Sequence, residues 1–113
     1  VTATNDRNAV LEGQVGHYAR LDEDGFVALN TAFLNDGAYV HVVDGCPESL
    51  VVRLTYLTTN GVTAKVTHPR TLVVDGRNND VTVVECYTGP QETSYLTNAV
   101  TEISVGEGAN VGH

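Results

Sequence analysis

The sequence predicts a mainly β protein in which short α-helices lead into strands stacked as the rungs of a parallel β-helix. Three observations carry that expectation. Apolar residues recur at helical spacing up to about Gly37 and at every second position after it. Short strands are separated by Gly- and Asn-bearing corners. Residues Val73 to Val83 also echo Ile103 to His113, matching Gly76 with Gly106 and Val81 with Val111. Strands that recur at a fixed spacing with like corners suggest stacked rungs. A β-sandwich would also give short strands at spacings of roughly 8–12 residues, so the echo is what favours the coil.

Composition agrees. The chain has 113 residues, 42% of them hydrophobic and only 18% charged, which suits one domain or a piece of one and not a disordered chain. Val and Thr are abundant and Met and Trp are absent, a β-branched bias that fits strands. Fourteen acidic against six basic side chains give a net charge of −8. A surface of that sign repels phosphate backbones and anionic lipid, so neither nucleic acid nor membrane is an expected partner. No apolar run approaches the roughly 20 residues of a membrane span. Val1-Thr2-Ala3-Thr4-Asn5-Asp6 does not resemble a signal peptide.

Taken in order, Asn8–Arg20 places Val10, Leu11, Val15, Tyr18 and Ala19 at a loose helical period, weakened by Gly13 and Gly16. Phe26 to Leu34 puts Phe26, Leu29, Ala32 and Phe33 on one helix face, with Asp24 as N-cap and Gly37 in the left-handed position after the helix. This stripe is expected to cover the first rung. Val40 and Val42 then alternate with Tyr39, His41 and Val43. Leu50, Val52, Leu54 and Tyr56 alternate with Val51, Arg53, Thr55 and Leu57. Further strands start at Leu72 and Val74 and at Val81 and Val83, and Thr101, Ile103 and Val105 share one face with Glu102 and Ser104 on the other. Corners fall at Asp44-Gly45, Asn60-Gly61, Asp75-Gly76, Thr88-Gly89-Pro90 and Gly106-Glu107-Gly108. The organisation expected is a helical lead-in over residues 1–36 and a partial β-helix core over 37–113, cut at its C-terminal edge.

Three strings resemble one family. They are the run Phe26 to Val42 (FVALNTAFLNDGAYVHV), the run Thr67 to Val74 (THPRTLVV), and Thr97 to Ile103 (TNAVTEI). Together, and in this order, they resemble the SufB/SufD family of iron–sulfur cluster assembly scaffolds, SufD more than SufB. The resemblance covers about residues 8–113. It implies a right-handed parallel β-helix and a chain that is a fragment of a longer parent. It further implies a non-enzymatic scaffold that pairs with a SufB-like subunit and a SufC-like ATPase, in the cytoplasm or in a plastid stroma. An iron–sulfur cluster would be handled at the interface of the full-length complex. The positions the family associates with that cluster lie in later rungs, so no catalytic, cofactor or metal residue is assigned to this chain.

The chemistry-bearing residues read the same way. Cys46 and Cys86 stand alone, without a C-x-x-C, and are expected to be half-buried thiols in a reducing compartment. Two cysteines fall short of the usual ligand set of an iron–sulfur cluster. Glu85 and Cys86 are adjacent, so a regular strand turns them to opposite sides, with Cys86 expected in the interior or a facing groove. His41 is expected to point outward, and His68 to set up an extended approach to Pro69. His17 has no acidic partner at a triad-like spacing, and His113 is the terminal residue, its environment in the intact protein lost. No P-loop, H-E-x-x-H or G-x-S-x-G is present. Asp22-Glu23-Asp24 reads as a solvated loop. The rival reading is a carbohydrate-active β-helix enzyme of the polysaccharide-lyase type. It would need clustered charge and exposed aromatics on one rung face, whereas Arg53, Lys65, Arg70 and Arg77 look scattered. A cut β-helix also exposes an unpaired edge near Val105–His113, so the fragment is expected to form a homodimer.

Overall fold

The computed structural model describes residues 16–20, 22, 24–59, 65–91 and 94–113. One helix, α1 (Gly25–Ala32), precedes eight strands: β1 (Asp36–Val42), β2 (Leu50–Leu57), β3 (Lys65–Thr67), β4 (Pro69–Asp75), β5 (Asp80–Thr88), β6 (Tyr95–Thr97), β7 (Val100–Ser104) and β8 (Asn110–Gly112). They form three sheets, β1-β4-β7, β2-β5-β8 and β3-β6, and every pairing is parallel. The chain therefore winds past three faces in turn: β1, β2 and β3 make the first rung, β4, β5 and β6 the second, and β7 and β8 the third. This is a parallel β-helix.

The echo in the sequence is the rung repeat. Val73 pairs with Ile103 and Val81 with Val111, 30 residues on, as Thr67 does with Thr97. The first turn is longer: Ser49 bonds Asp80 across 31 residues and Asp44 bonds Arg77 across 33. Corners stack with the strands. Gly45, Asn78 and Gly108 hold φ of 68°, 57° and 70° at equivalent places in successive rungs. The Gly45 amide donates to the Arg77 carbonyl and the Asn78 amide to the Glu107 carbonyl. A left-handed residue is what turns each corner, and Asn is the L residue that tolerates it best.

Alternation sorts the strands into an inner and an outer face. Val40, Val42, Val73, Val81 and Val83 fill the interior, with Leu50, Val52, Leu54, Cys46, Ile103 and Val111 packed against them only partly buried. The difference follows the stacking. Val73, Val81 and Val83 of the second rung are covered from above and below, while Leu50, Val52 and Leu54 have a rung on one side alone; Val40 and Val42 are buried although they too lie in the first rung. Each fully buried Val contributes about 1.5–3 kcal/mol.

Three expectations change. Helix α1 is present and Asp24 caps it, its Oδ1 accepting the Phe26 amide at 2.7 Å. However, the helix closes at Phe33, and Gly37 lies inside β1. Glycine is needed there because a Cβ would run into the Arg70 carbonyl of the next rung. Second, the stripe does not cover the first rung. Phe26 is 66% and Phe33 62% exposed, while Asn30, one turn on from Phe26, is fully buried. Third, residues 16–20 form turns and bends, not the end of a helix; residues 8–15 of that expected helix, and the Asn60-Gly61 corner, lie outside the described residues.

Gly108 gives a direct test of the stacked corner. A Cβ there would be forced into φ of 70° and would meet Asn78 Oδ1 at 2.5 Å. Gly108→Ala is expected to lower unfolding free energy by about 1–2 kcal/mol in urea denaturation, and Gly108→Asn by less.

Candidate functional site

The outer face of the β1-β4-β7 sheet carries Arg70 from β4 and Glu102 from β7. Both point away from Val73 and Ile103, and both side chains are 1% exposed. Arg70 Nε donates to Glu102 Oε1 at 2.7 Å, and Nη2 lies 2.6 Å from the same oxygen. Arg70 Nη1 donates to Asn30 Oδ1 and Thr31 Oγ1 of α1 at 3.1 and 3.2 Å. Glu102 in turn accepts the amides of Gly16 (2.9 Å, on Oε1), Tyr18 (2.9 Å) and Ala19 (3.1 Å, both on Oε2). Burial opposes ionisation of Glu102, but the three amides and Arg70 outweigh it and hold the carboxyl below its ordinary range.

Asparagines complete this latch. Asn30 Nδ2 donates to the carbonyls of Pro69 and Asn98 at 2.9 and 2.8 Å. Asn98 Nδ2 donates to the Phe26 carbonyl at 2.9 Å and lies 3.2 Å from His68 Nδ1. The His68 ring stacks on Phe33 with centroids 5.6 Å apart. The three strings singled out in the sequence thus meet in space: the first supplies Asn30, the second Arg70, and the third Asn98 and Glu102. None of these four was identified from the sequence as a working residue. Alternation separates Glu102 from Ile103, but nothing local says that residues 16–19 and α1 cover it.

Inside the coil a second carboxylate is held. Glu85 shares the inner face with Val81 and Val83, and its side chain is 5% exposed. Its Oε2 accepts the hydroxyls of Thr101 (2.8 Å) and Tyr87 (2.9 Å) and lies 3.3 Å from His113 Nε2. Tyr56 stacks on Tyr87, centroids 5.1 Å apart, and its hydroxyl lies 2.7 Å from Thr71 Oγ1. Burial pushes Glu85 up, and the surrounding hydroxyls of Thr71, Thr101 and Tyr87 with the His113 ring bring it below the ordinary range. Burial and the adjacent Glu85 carboxylate drive the Tyr87 phenol far up, so it stays a donor.

The other expected residues scatter. Cys46 and Cys86 are free and half-buried. Cys86 lies on the outer face with Thr82 and Val84, which corrects the first of its two expected places, the interior and a facing groove; Glu85 takes the inward position of that pair. His41 lies on the outer side of β1 and stacks on Tyr39. His17 stacks edge-on against Tyr18. Asp22 pairs with Arg20 at the surface. Arg77 pairs with Asp44, and this pair and the Arg77 amide lower the Asp44 carboxyl. Among the described residues no three His, Cys, Asp or Glu side chains converge as a metal-binding set. None of their helices is long and apolar enough to cross a membrane. On the outer face of β2 and β5, alternation presents Val51, Arg53, Thr55, Leu57, Thr82, Val84, Cys86 and Thr88, a row without carboxylates or aromatics. A cleft of about 940 Å³ lies between α1, the end of β2 and the β3-β6 sheet.

Two outcomes test the latch. Glu102→Gln keeps the shape but leaves the Arg70 charge buried without a counter-ion, and is expected to cost about 3–5 kcal/mol in denaturant unfolding. The pH dependence has a defined sign. The folded-state pKa of Glu102 is depressed, so its contribution is whole above the ordinary carboxylate value of about 4.3. It is lost as pH falls through the folded value. The amide resonances of Gly16, Tyr18 and Ala19 are expected to titrate together in that acid range.

Comparisons with known proteins now bear on the latch. Residues 54–113 match the SUF system FeS cluster assembly, SufBD core domain, and residues 2–54 match the SufBD protein N-terminal region. The junction at Leu54 falls in the middle of β2, so the N-terminal region supplies β1 and half of β2 to the first rung. The chain is 34% identical to an iron–sulfur cluster assembly SufBD family protein of Synechocystis sp., over 88% of its own length and 24% of that protein's. It therefore spans about a quarter of this curated relative. No solved structure matches it at a significant level. With more than half of its length matching the core domain and the rest matching the N-terminal region, the chain belongs to the SufB/SufD family of the SUF iron–sulfur cluster assembly system.

Proposed function

We propose that this chain is the opening part of the β-helix platform in a SufD-like subunit. That subunit pairs with a SufB-like subunit and a SufC-like ATPase, in the cytoplasm or a plastid stroma. The observation that carries the reading is the union of the family match with the latch: the three family-like strings are the segments that fix α1 and residues 16–19 on the sheet. The platform is a scaffold and not an enzyme. Nucleotide hydrolysis belongs to the ATPase partner, and the iron–sulfur cluster is the cargo of the assembled complex, held outside this segment.

A tagged full-length protein containing this segment is expected to co-purify with a SufB-like subunit and an ATPase subunit. Recovery of the protein without an ATPase partner would sink the proposal. The isolated chain is expected to purify colourless and to bind no nucleotide; a stoichiometric visible iron–sulfur spectrum after anaerobic reconstitution would contradict this.

The isolated chain is further proposed to dimerise through the strand edges of its third rung. Ile103 and Val111 there are only partly buried and Val105 is 51% exposed. Sedimentation over a wide concentration range is expected to give a dimer. A strict 12.0 kDa species at high concentration would exclude it.

A further inference from the structure

Two phenols and one buried carboxylate meet inside the coil. Tyr56 and Tyr87 are register partners on the inner face of β2 and β5. Their rings stack with centroids 5.1 Å apart and planes within 9° of parallel. Tyr87 is 39% exposed, and both residues line the cleft, so the stack is open to small solutes.

The hydroxyls of the pair lead to Glu85. The Tyr87 hydroxyl donates to Glu85 Oε2 at 2.9 Å. The Tyr56 hydroxyl lies 2.7 Å from Thr71 Oγ1, and the Thr71 hydroxyl is one of those that hold Glu85 ionised. A threonine hydroxyl has a single proton, so when Thr71 turns it to Glu85, Tyr56 is the donor to Thr71. One phenol proton thus reaches the carboxylate directly and the other through one hydroxyl. Leu54 is the register partner of Glu85 in the first rung, so the position accepts an aliphatic side chain. Placing a carboxylate there instead carries a desolvation cost. Its Oε1 is buried and accepts no hydrogen bond.

This arrangement suits one chemistry. A phenol that loses an electron alone becomes a strongly acidic radical cation, and a base already bonded to the hydroxyl removes that obstacle by taking the proton in the same step. The chain has five tyrosines, and among the described residues Tyr87 is the one that donates to a carboxylate. We propose that the Tyr56–Tyr87 stack is a one-electron donor site for small one-electron oxidants that reach the cleft, with Glu85 as the proton acceptor. The oxidant gains one electron and is reduced. The Tyr87 O–H bond breaks, its proton forms an O–H bond with Glu85 Oε2, and a neutral phenoxyl radical remains beside the Tyr56 ring. Glu85, now uncharged, donates back to the phenoxyl oxygen. This goes beyond the scaffold reading and does not rest on it.

The test uses the full 113-residue chain, which has no tryptophan to compete for the hole. The oxidant is tris(bipyridine)ruthenium(III) generated by a light flash, and the phenoxyl absorbance is followed in time. The titratable groups facing Glu85 are Tyr56 of β2, Tyr87 of β5 and His113 after β8, while β4 and β7 present Thr71 and Thr101. The informative range is therefore about pH 7.5–9, above the ordinary histidine value and below the ordinary phenol value. There the rate is expected to be flat with pH and slower in D2O, because the proton goes to an internal base. Tyr87→Phe keeps the stacked ring and is expected to lower the rate roughly tenfold, leaving a slow oxidation that climbs with pH. Glu85→Gln still accepts the hydrogen bond but cannot take the proton, and is expected to do the same while its circular dichroism stays native. A rate that Tyr87→Phe leaves unchanged would overturn the proposal. So would a native-chain rate that climbs with pH across this range, or a folded Glu85→Gln chain with an unchanged rate. The first two readouts stand even where Glu85→Gln fails to fold.

Discussion

The Arg70–Glu102 pair is the constraint on which the rest of the arrangement depends. Two full charges are removed from water, a step that costs several kcal/mol per ion before any attraction is counted. The pair is sustained because nearly every polar atom of both groups is used. Glu102 takes three backbone amides besides the guanidinium, and Arg70 adds two contacts to α1. Its geometry specifies more than it stabilises. A leucine pair could fill the same volume, but it could not recognise the amides at Gly16, Tyr18 and Ala19, and so could not set where the chain crosses the sheet.

That crossing decides how the N-terminal part relates to the coil. The family boundary near Leu54 suggests two regions, yet β1 and the first half of β2 complete the first rung, and the latch binds residues 16–19 to the third-rung strand β7. The lead-in clips successive rungs together from outside while the valines fill them from within. The clip holds α1 through Asn30 and Thr31 and leaves Phe26 and Phe33 exposed.

The interior holds a matching polar element. Glu85 replaces what would be another aliphatic residue beneath Val81 and Val83, and Thr71, Thr101, Tyr56 and Tyr87 surround it with hydroxyls. Two carboxylates, one on each side of the sheets, are thus kept ionised by donors supplied from different rungs. Each links neighbouring segments by side-chain bonds that a slip of register along the strands would break.

Much of the fold was legible because a β-helix is periodic. The change from helical to alternate spacing near Gly37, the Gly/Asn corners and the thirty-residue echo are local or nearly local signals, and each has its counterpart in the strand register. The resemblance of three strings to one family was equally a property of the sequence. What those strings do was not. Pattern reading only separates Glu102 from the face of Ile103, and reads Arg70 as one of several scattered cations, because exposure depends on which distant segment covers a face. It also orients α1 by its apolar residues, since burying them is the ordinary choice for a helix that packs by hydrophobic contact. Alternation alone separated Glu85 from Cys86, but which of the two turned inward was set by the phase of Val81 and Val83 against their neighbours in the stack. The sequence by itself thus determined the repeat, the corners and the core valines, whose causes lie within a rung. Tertiary structure decided the latch, the orientation of α1 and the carboxylate in the coil, because their partners lie from 15 to 86 residues away.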